Sequence, residues 1–217
     1  MGFALVSVPA LVIVLGANDG VSFANCAAGV VCVLGLIRDW RHVRLRAMVP
    51  LILAAACTAP VGAWFSRVLP APVLLLVMGA LVTATAALLL AGLRVPALKG
   101  LTGAVTAGAT GGFMNTAAGL GGPPVSLYAV NANWTIREFV PNALFYGAVV
   151  NVFSLVTRGV PPLTTSTWLT AALALATGAI VGALLSPRIP NHTARRLVLL
   201  LAITGGLTTI TKGLLNL

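Results

Sequence analysis

Residues 111–124 run Gly-Gly-Phe-Met-Asn-Thr-Ala-Ala-Gly-Leu-Gly-Gly-Pro-Pro, inside a stretch too apolar for anything but a lipid bilayer. Glycine and proline in this density break a transmembrane helix. A break at membrane depth is tolerated only where the freed backbone groups line a protein cavity. Secondary transporters build substrate sites this way, from the ends of half-helices. The stretch therefore predicts one helix over 98–118, a break from Gly119 to Pro124, and a second helix over 122–132 that starts near the bilayer midplane.

Composition fixes the surroundings of that break. Of the 217 residues 59% are hydrophobic and 7% charged, and the mean hydropathy is +1.05. A soluble domain carries about 25% charged residues, so this chain is a polytopic membrane protein. Its net charge of +10 comes from 13 Lys and Arg against three acids. The basic residues sit in short gaps between apolar runs, as topology signals do, which argues against nucleic acid as a partner. Cys26, Cys32 and Cys57 lie within apolar runs, without metal-ligand spacing, and are expected to be small hydrophobic residues. No cofactor is implied, and no cleavable leader is evident at the N-terminus.

Apolar runs of spanning length lie near 21–37, 45–65, 72–93, 98–118, 138–157, 166–186 and 194–216, with shorter runs at 2–16 and 122–132. The gaps are brief, so residues 1–217 form one transmembrane domain. Within it the chain repeats. Val61-Gly62-Ala63-Trp64-Phe65-Ser66-Arg67-Val68-Leu69-Pro70 matches Val181-Gly182-Ala183-Leu184-Leu185-Ser186-Pro187-Arg188-Ile189-Pro190 at an offset of 120 residues. More loosely, Asn25 matches Asn142 and Arg38 matches Arg158. The repeats cover about 1–95 and 98–217, and the segment 98–118 has no counterpart at the head of the first.

Placing the loop Arg38 to Arg46 in the cytoplasm and alternating the segments puts Arg94, Lys99, Arg137, Arg188, Arg195 and Arg196 inside too. Arg67, Arg158 and Lys212 fall outside. That bias sets the orientation and predicts that the halves are inverted: an all-α fold of two inverted repeats with broken, re-entrant helices.

The break itself supplies the candidate site. Pro123 and Pro124 suit a first helical turn, Gly121 and Gly122 leave the approach to its amides open, and free amides with the macrodipole favour an anion. Asp19, Asp39 and Glu138 all map to segment boundaries, so no intramembrane carboxylate marks a cation path. Neutral polar residues gather around the break. Asn115 and Thr116 precede it, Ser126 and Tyr128 follow it, and Asn142, Tyr146 and Asn151 lie close to one face of the next helix. The candidate substrate-binding residues are Asn115, Thr116, Gly119, Gly121, Gly122, Pro123, Asn142 and Tyr146. Gly103, Gly108, Gly111 and Gly112 are expected instead to allow close helix packing. His42 and His192 lie in loops beside arginines and are expected to be solvated. Trp64, Trp134 and Trp168 sit at segment ends, as interfacial residues do, and Trp40 is placed on the lipid headgroups.

In the run 112–124, Gly-Phe-Met-Asn-Thr-Ala-Ala-Gly-Leu-Gly-Gly-Pro-Pro, the chain resembles the TauE/SafE family of sulfite and sulfonate exporters, also grouped as toluene-sulfonate uptake permeases. Gly119, Gly121, Gly122 and Pro123 match the core of that family's glycine-rich motif, and Asn142 follows at the expected distance. The resemblance implies transport of sulfur-containing or carboxylate anions across the bacterial inner membrane, with a small anion and membrane lipids as partners. A homo-oligomer is left open. The family carries the motif once per repeat, and ahead of 2–16 only Gly2 could be its remnant, so either the natural start lies upstream, which is the expectation, or the leading segment has been lost.

The sequence thus predicts a multi-pass secondary carrier for a small organic or sulfur oxyanion. Its rivals are a channel-like anion pore and a non-transporting membrane scaffold. An enzyme is disfavoured, because three boundary acids and two loop histidines provide no acid–base or metal constellation.

Overall fold

A computed structural model describes residues 2–91, 99–185 and 191–217. Every described secondary-structure element is helical. Following the chain, α1 is Gly2–Leu15, α2 Ala17–Asp39, α3 Leu45–Val68, α4 Ala71–Ala91, α5 Gly100–Ala118, α6 Gly122–Asn131, α7 Ile136–Arg158, α8 Thr165–Leu185 and α9 Asn191–Leu215. A single 3-10 turn, Trp40–His42, links α2 to α3. Arg94 and Arg188, both used in the orientation argument, lie outside the described residues, as do the side chains of His192, Arg195 and Arg196.

Among the described residues, α2 (running on to His42), α3, α4, α7 and α9 are long and apolar enough to cross a membrane. The 19-residue α5 falls outside that group on composition, since it is built of Gly, Ala and Thr rather than Leu. Helices run through Pro50 and Pro60 in α3 and Pro141 in α7, where the sequence would have allowed breaks. Neighbouring helices in a membrane satisfy the freed carbonyls. The start of α7 is fixed by a capping box: Glu138 N–H donates to Thr135 Oγ1 and Thr135 N–H to Glu138 Oε2.

The helix starts recur. Helices α1, α2, α3 and α4 begin at residues 2, 17, 45 and 71, and α6, α7, α8 and α9 at 122, 136, 165 and 191, so the second set follows the first by 119 or 120 residues. The helix α5 stands outside this correspondence.

Two clusters of buried apolar side chains hold the bundle. One joins Val8 and Val12 of α1, Val21 of α2, Met78 and Val82 of α4 and Ala202 of α9. The other joins Met48 and Leu51 of α3, Ala107 of α5, Val125 of α6, and Tyr146 and Val150 of α7. The break after α5 lies where they meet, because Ala118 and Leu120 belong to the first cluster. Between helices in lipid, close packing replaces the hydrophobic driving force, and glycine sets that closeness here. A Cβ on Gly112 would stand 2.5 Å from Ala55 Cα, and one on Gly79 would stand 2.6 Å from the Gly206 carbonyl. Gly108 and Gly111 press in the same way on Leu51 and Tyr146, as their packing reading requires. By contrast α8, the positional counterpart of α3, is mostly exposed along its described residues.

Candidate functional site

The break is closed at its first end by backbone geometry. Gly119 takes a left-handed conformation (φ 72°, ψ 18°) and its N–H donates to the Asn115 carbonyl at 2.8 Å, while Leu120 N–H reaches the Met114 carbonyl at 3.2 Å. Glycine tolerates that φ where an L side chain is strained. Two residues later α6 starts with Pro123 and Pro124 in its first turn. Neither proline carries an N–H, so the donors at this helix start are few. One of them is already engaged: Gly121 N–H donates to Asn115 Oδ1 at 3.2 Å. The open approach to the Gly121 amide expected from sequence is therefore closed by Asn115, and Gly122 supplies the amide that remains at the helix end.

A cavity of about 190 Å³ adjoins this break. On the same measure a water needs roughly 10–15 Å³, so a small oxyanion fits with part of its hydration shell. The polar lining comes from Asn115, Tyr146 and Asn151, with backbone from Gly119, Gly121 and Gly122, and no charged side chain lines it among the described residues. Phe3 and Ala4 of α1 line it too. The N-terminal turn of α6 thus faces the cavity and brings the positive end of a helix dipole to it.

The asparagines form a fixed set. Asn115 Nδ2 donates to Asn151 Oδ1 at 3.1 Å, and Asn25 Nδ2 donates to Ser154 Oγ at 2.6 Å and to the Asn115 carbonyl at 3.3 Å. Asn151 Nδ2 makes no hydrogen bond among the described residues and belongs to a cavity-lining side chain, so it is a donor available to a guest. Tyr146 is fully buried with its hydroxyl donating to the Gly108 carbonyl at 3.2 Å.

Of the residues predicted from sequence, Asn115, Gly119, Gly121, Gly122 and Tyr146 come together at the cavity. Three do not line it. Thr116 is fully buried behind the break, with its carbonyl accepting from Arg158 Nη1 at 2.9 Å. Pro123 is buried in the helix start. Asn142 sits near the other end of α7, where Oδ1 accepts from Arg44 N–H at 2.8 Å and Nδ2 donates to the Glu138 carbonyl at 2.7 Å. Beside it Arg44 pairs with the Glu138 carboxylate. Asn142 is a strut between α7 and the α2–α3 linker, and the loose sequence match of Asn25 to Asn142 joins two residues with different surroundings.

Phe3, Ala4 and Cys32 line the cavity and Asn25 holds the Asn115 carbonyl beside it, and sequence named none of them as site residues. Asn25 carried a usable signal, as a polar side chain inside an apolar run. Phe3, Ala4 and Cys32 carried none, because nothing local marks which face of an apolar helix meets a cavity. The tryptophans divide. Trp64 is exposed, whereas Trp134 packs edge-on against Tyr128 and Trp168 lies tilted against Phe23. Trp40 is exposed with Arg41 over its ring.

Residues 1–209 match the family model described as Sulfite exporter TauE/SafE. The chain belongs to the TauE/SafE family. It is a multi-pass membrane transporter, and the match covers all the helices that build the cavity. No curated protein and no solved structure matches it. Within this TauE/SafE chain, the glycines of the 111–124 stretch play two roles. Gly111 and Gly112 seat α5 on its neighbours, and Gly119, Gly121 and Gly122 border the cavity.

Proposed function

We propose that the chain is a secondary carrier for a small oxyanion of the sulfite or sulfonate type, bound in the cavity between α1, α2, α5, α6 and α7 and moved by alternating access. The observation that carries this reading is the start of α6 at Gly122 facing a cavity whose polar lining is neutral amide and hydroxyl groups, with no charged side chain among its described lining residues. Helix ends and amides recognise an anion without holding it so tightly that it fails to leave.

The inverted arrangement fits the same reading. The antiparallel contact of α2 with α7, Asn25 to Ser154 and Asn18 to Arg158, supports it, given Arg38 to Arg46 and Arg137 on the cytoplasmic side and the two helices as counterparts in the repeat. Exit of an anion from a negative interior gains about 2.3 kcal/mol per charge per 100 mV, so export needs no coupling carboxylate.

The test is thermal stabilisation of the purified chain by sulfite, sulfate, an alkylsulfonate, acetate and chloride, in wild type and in Asn151→Asp. That substitution keeps Oδ1 as the acceptor for Asn115 and replaces the free donor by a negative charge. The expected result is a stabilising shift for a sulfur oxyanion that disappears in the variant. A shift of equal size in the variant would place the anion elsewhere. Gly121→Leu is a poorer control, because a Cβ at that position would stand 2.8 Å from Asn115 Cβ and displace it.

A further inference from the structure

A polar seam leads away from the cavity along the α2–α7 contact. Asn151, Ser154 and Arg158 follow at spacings of three and four on α7 and share a face, and Asn18, Ser22 and Asn25 do the same on α2. The Asn25–Ser154 bond crosses the seam next to the cavity. Two turns on from Asn151, Arg158 crosses it again. Its Nε donates to Ser22 Oγ at 3.3 Å, Nη1 to Ser66 Oγ and to the Thr116 carbonyl, and Nη2 to the Asn18 carbonyl and Oδ1 at 3.0 and 3.2 Å. One guanidinium thereby ties α7 to α2, α3 and α5. Directly behind it Thr116 Oγ1 is fully buried and makes no hydrogen bond among the described residues. Such an orphan marks a place where the present arrangement leaves polar capacity unused.

Beyond Arg158 lies a pocket of about 210 Å³, lined by Asn18, Asp19, Ser22, Ser66, Arg67 and Arg158 together with the turn that follows α7. Arg67 donates one bond, Nη2 to the Thr157 carbonyl, and its remaining N–H groups have no partner among the described residues. Neither arginine has a carboxylate within 4.0 Å, since the ion pair found among the described residues is Arg44 with Glu138. Two guanidinium groups against the one carboxylate of Asp19 leave the pocket net positive.

We propose that this pocket is a second oxyanion site, at the end of the molecule opposite the Arg44–Glu138 pair, and that Arg158 closes the seam between it and the central cavity. The site takes a tetrahedral or pyramidal oxyanion such as sulfite, sulfate or a sulfonate. Arg67 offers a free planar fork suited to two oxygens, and Ser66 supplies a hydroxyl beside it. Asp19 opposes the anion and keeps binding weak enough for release. That the guest is the transported anion rests on the carrier reading above; that the pocket binds an oxyanion does not.

The experiment is equilibrium dialysis of the intact purified chain against radiolabelled sulfite, at low ionic strength and without oxygen. The variants are Arg67→Gln, Arg67→Lys, Asp19→Asn and Asn151→Asp, each checked for folding by size exclusion and circular dichroism. Wild type is expected to bind at two sites. Arg67→Gln weakens one of them by about tenfold, Arg67→Lys weakens it by less because it keeps the charge while losing the fork, and Asp19→Asn tightens it. Asn151→Asp removes the other site. If Arg67→Gln leaves every binding step unchanged, or if the wild type binds at one site that Asn151→Asp alone abolishes, the outer site is refuted and the central one stands. One site abolished by Arg67→Gln alone supports the outer site and refutes the central one. No binding at all refutes the outer site.

Discussion

Asn115 and Asn151 are joined side chain to side chain at 3.1 Å, so that α5 at the break and α7 form one wall of the cavity. The same Asn115 side chain accepts from Gly121 N–H with its oxygen. A single amide thus holds the start of α6 with one end and orients a cavity-facing donor of α7 with the other. The site depends on the register of three helices, α5, α6 and α7, meeting at one residue.

That dependence predicts coupling. In a double-mutant cycle of Asn115→Ala and Asn151→Ala, the two changes should interact by about 1 kcal/mol in thermal or denaturant unfolding. Additive effects within a few tenths of that value would show that the bond does not hold α5 to α7.

Gly119 is predicted to resist substitution. An alanine would be forced into the left-handed region at a cost of roughly 1–2 kcal/mol, and its Cβ would stand 2.8 Å from Val8 Cγ2. Gly119→Ala should lower the unfolding temperature and weaken anion binding together, because α1 and the break both shift. Unchanged binding with lowered stability would separate the break from the site.

Asn142 is predicted to be a strut. Asn142→Ala should cost about 1–2 kcal/mol of stability through its bond to Arg44 N–H, while anion affinity, read by thermal shift, stays within about twofold. A large loss of affinity with intact stability would return Asn142 to the site.

Cys32 lines the cavity and provides a built-in reporter. In a Cys26→Ala, Cys57→Ala background, an alkylsulfonate at ten times its Kd should slow modification of Cys32 by a small polar thiol reagent about tenfold. Modification at the same rate with and without the anion would empty the cavity of its proposed guest.

The all-helical fold and the break were legible because each leaves a periodic or compositional trace. Apolar runs gave the helices, and Gly119 to Pro124 gave the break. The partition of the candidate residues was not legible. Asn142 and Asn151 look alike in sequence on one helix face, yet one is consumed by Arg44 and Glu138 and the other faces the cavity. What separates them is which neighbour each helix meets along its length, and that is set by packing between helices distant in sequence. Arg158 shows the same limit. Charge counting makes it a loop cation on the outer side, whereas its surroundings make it the knot of four helices.

The central claim is that an oxyanion crosses through the cavity at Asn151. It is tested most directly by sulfite efflux from liposomes containing the reconstituted chain, with the inside held negative. The account predicts saturable efflux that falls at least about tenfold in Asn151→Asp, with the variant inserted and folded as wild type. Efflux from the Asn151→Asp liposomes at the wild-type rate would contradict it.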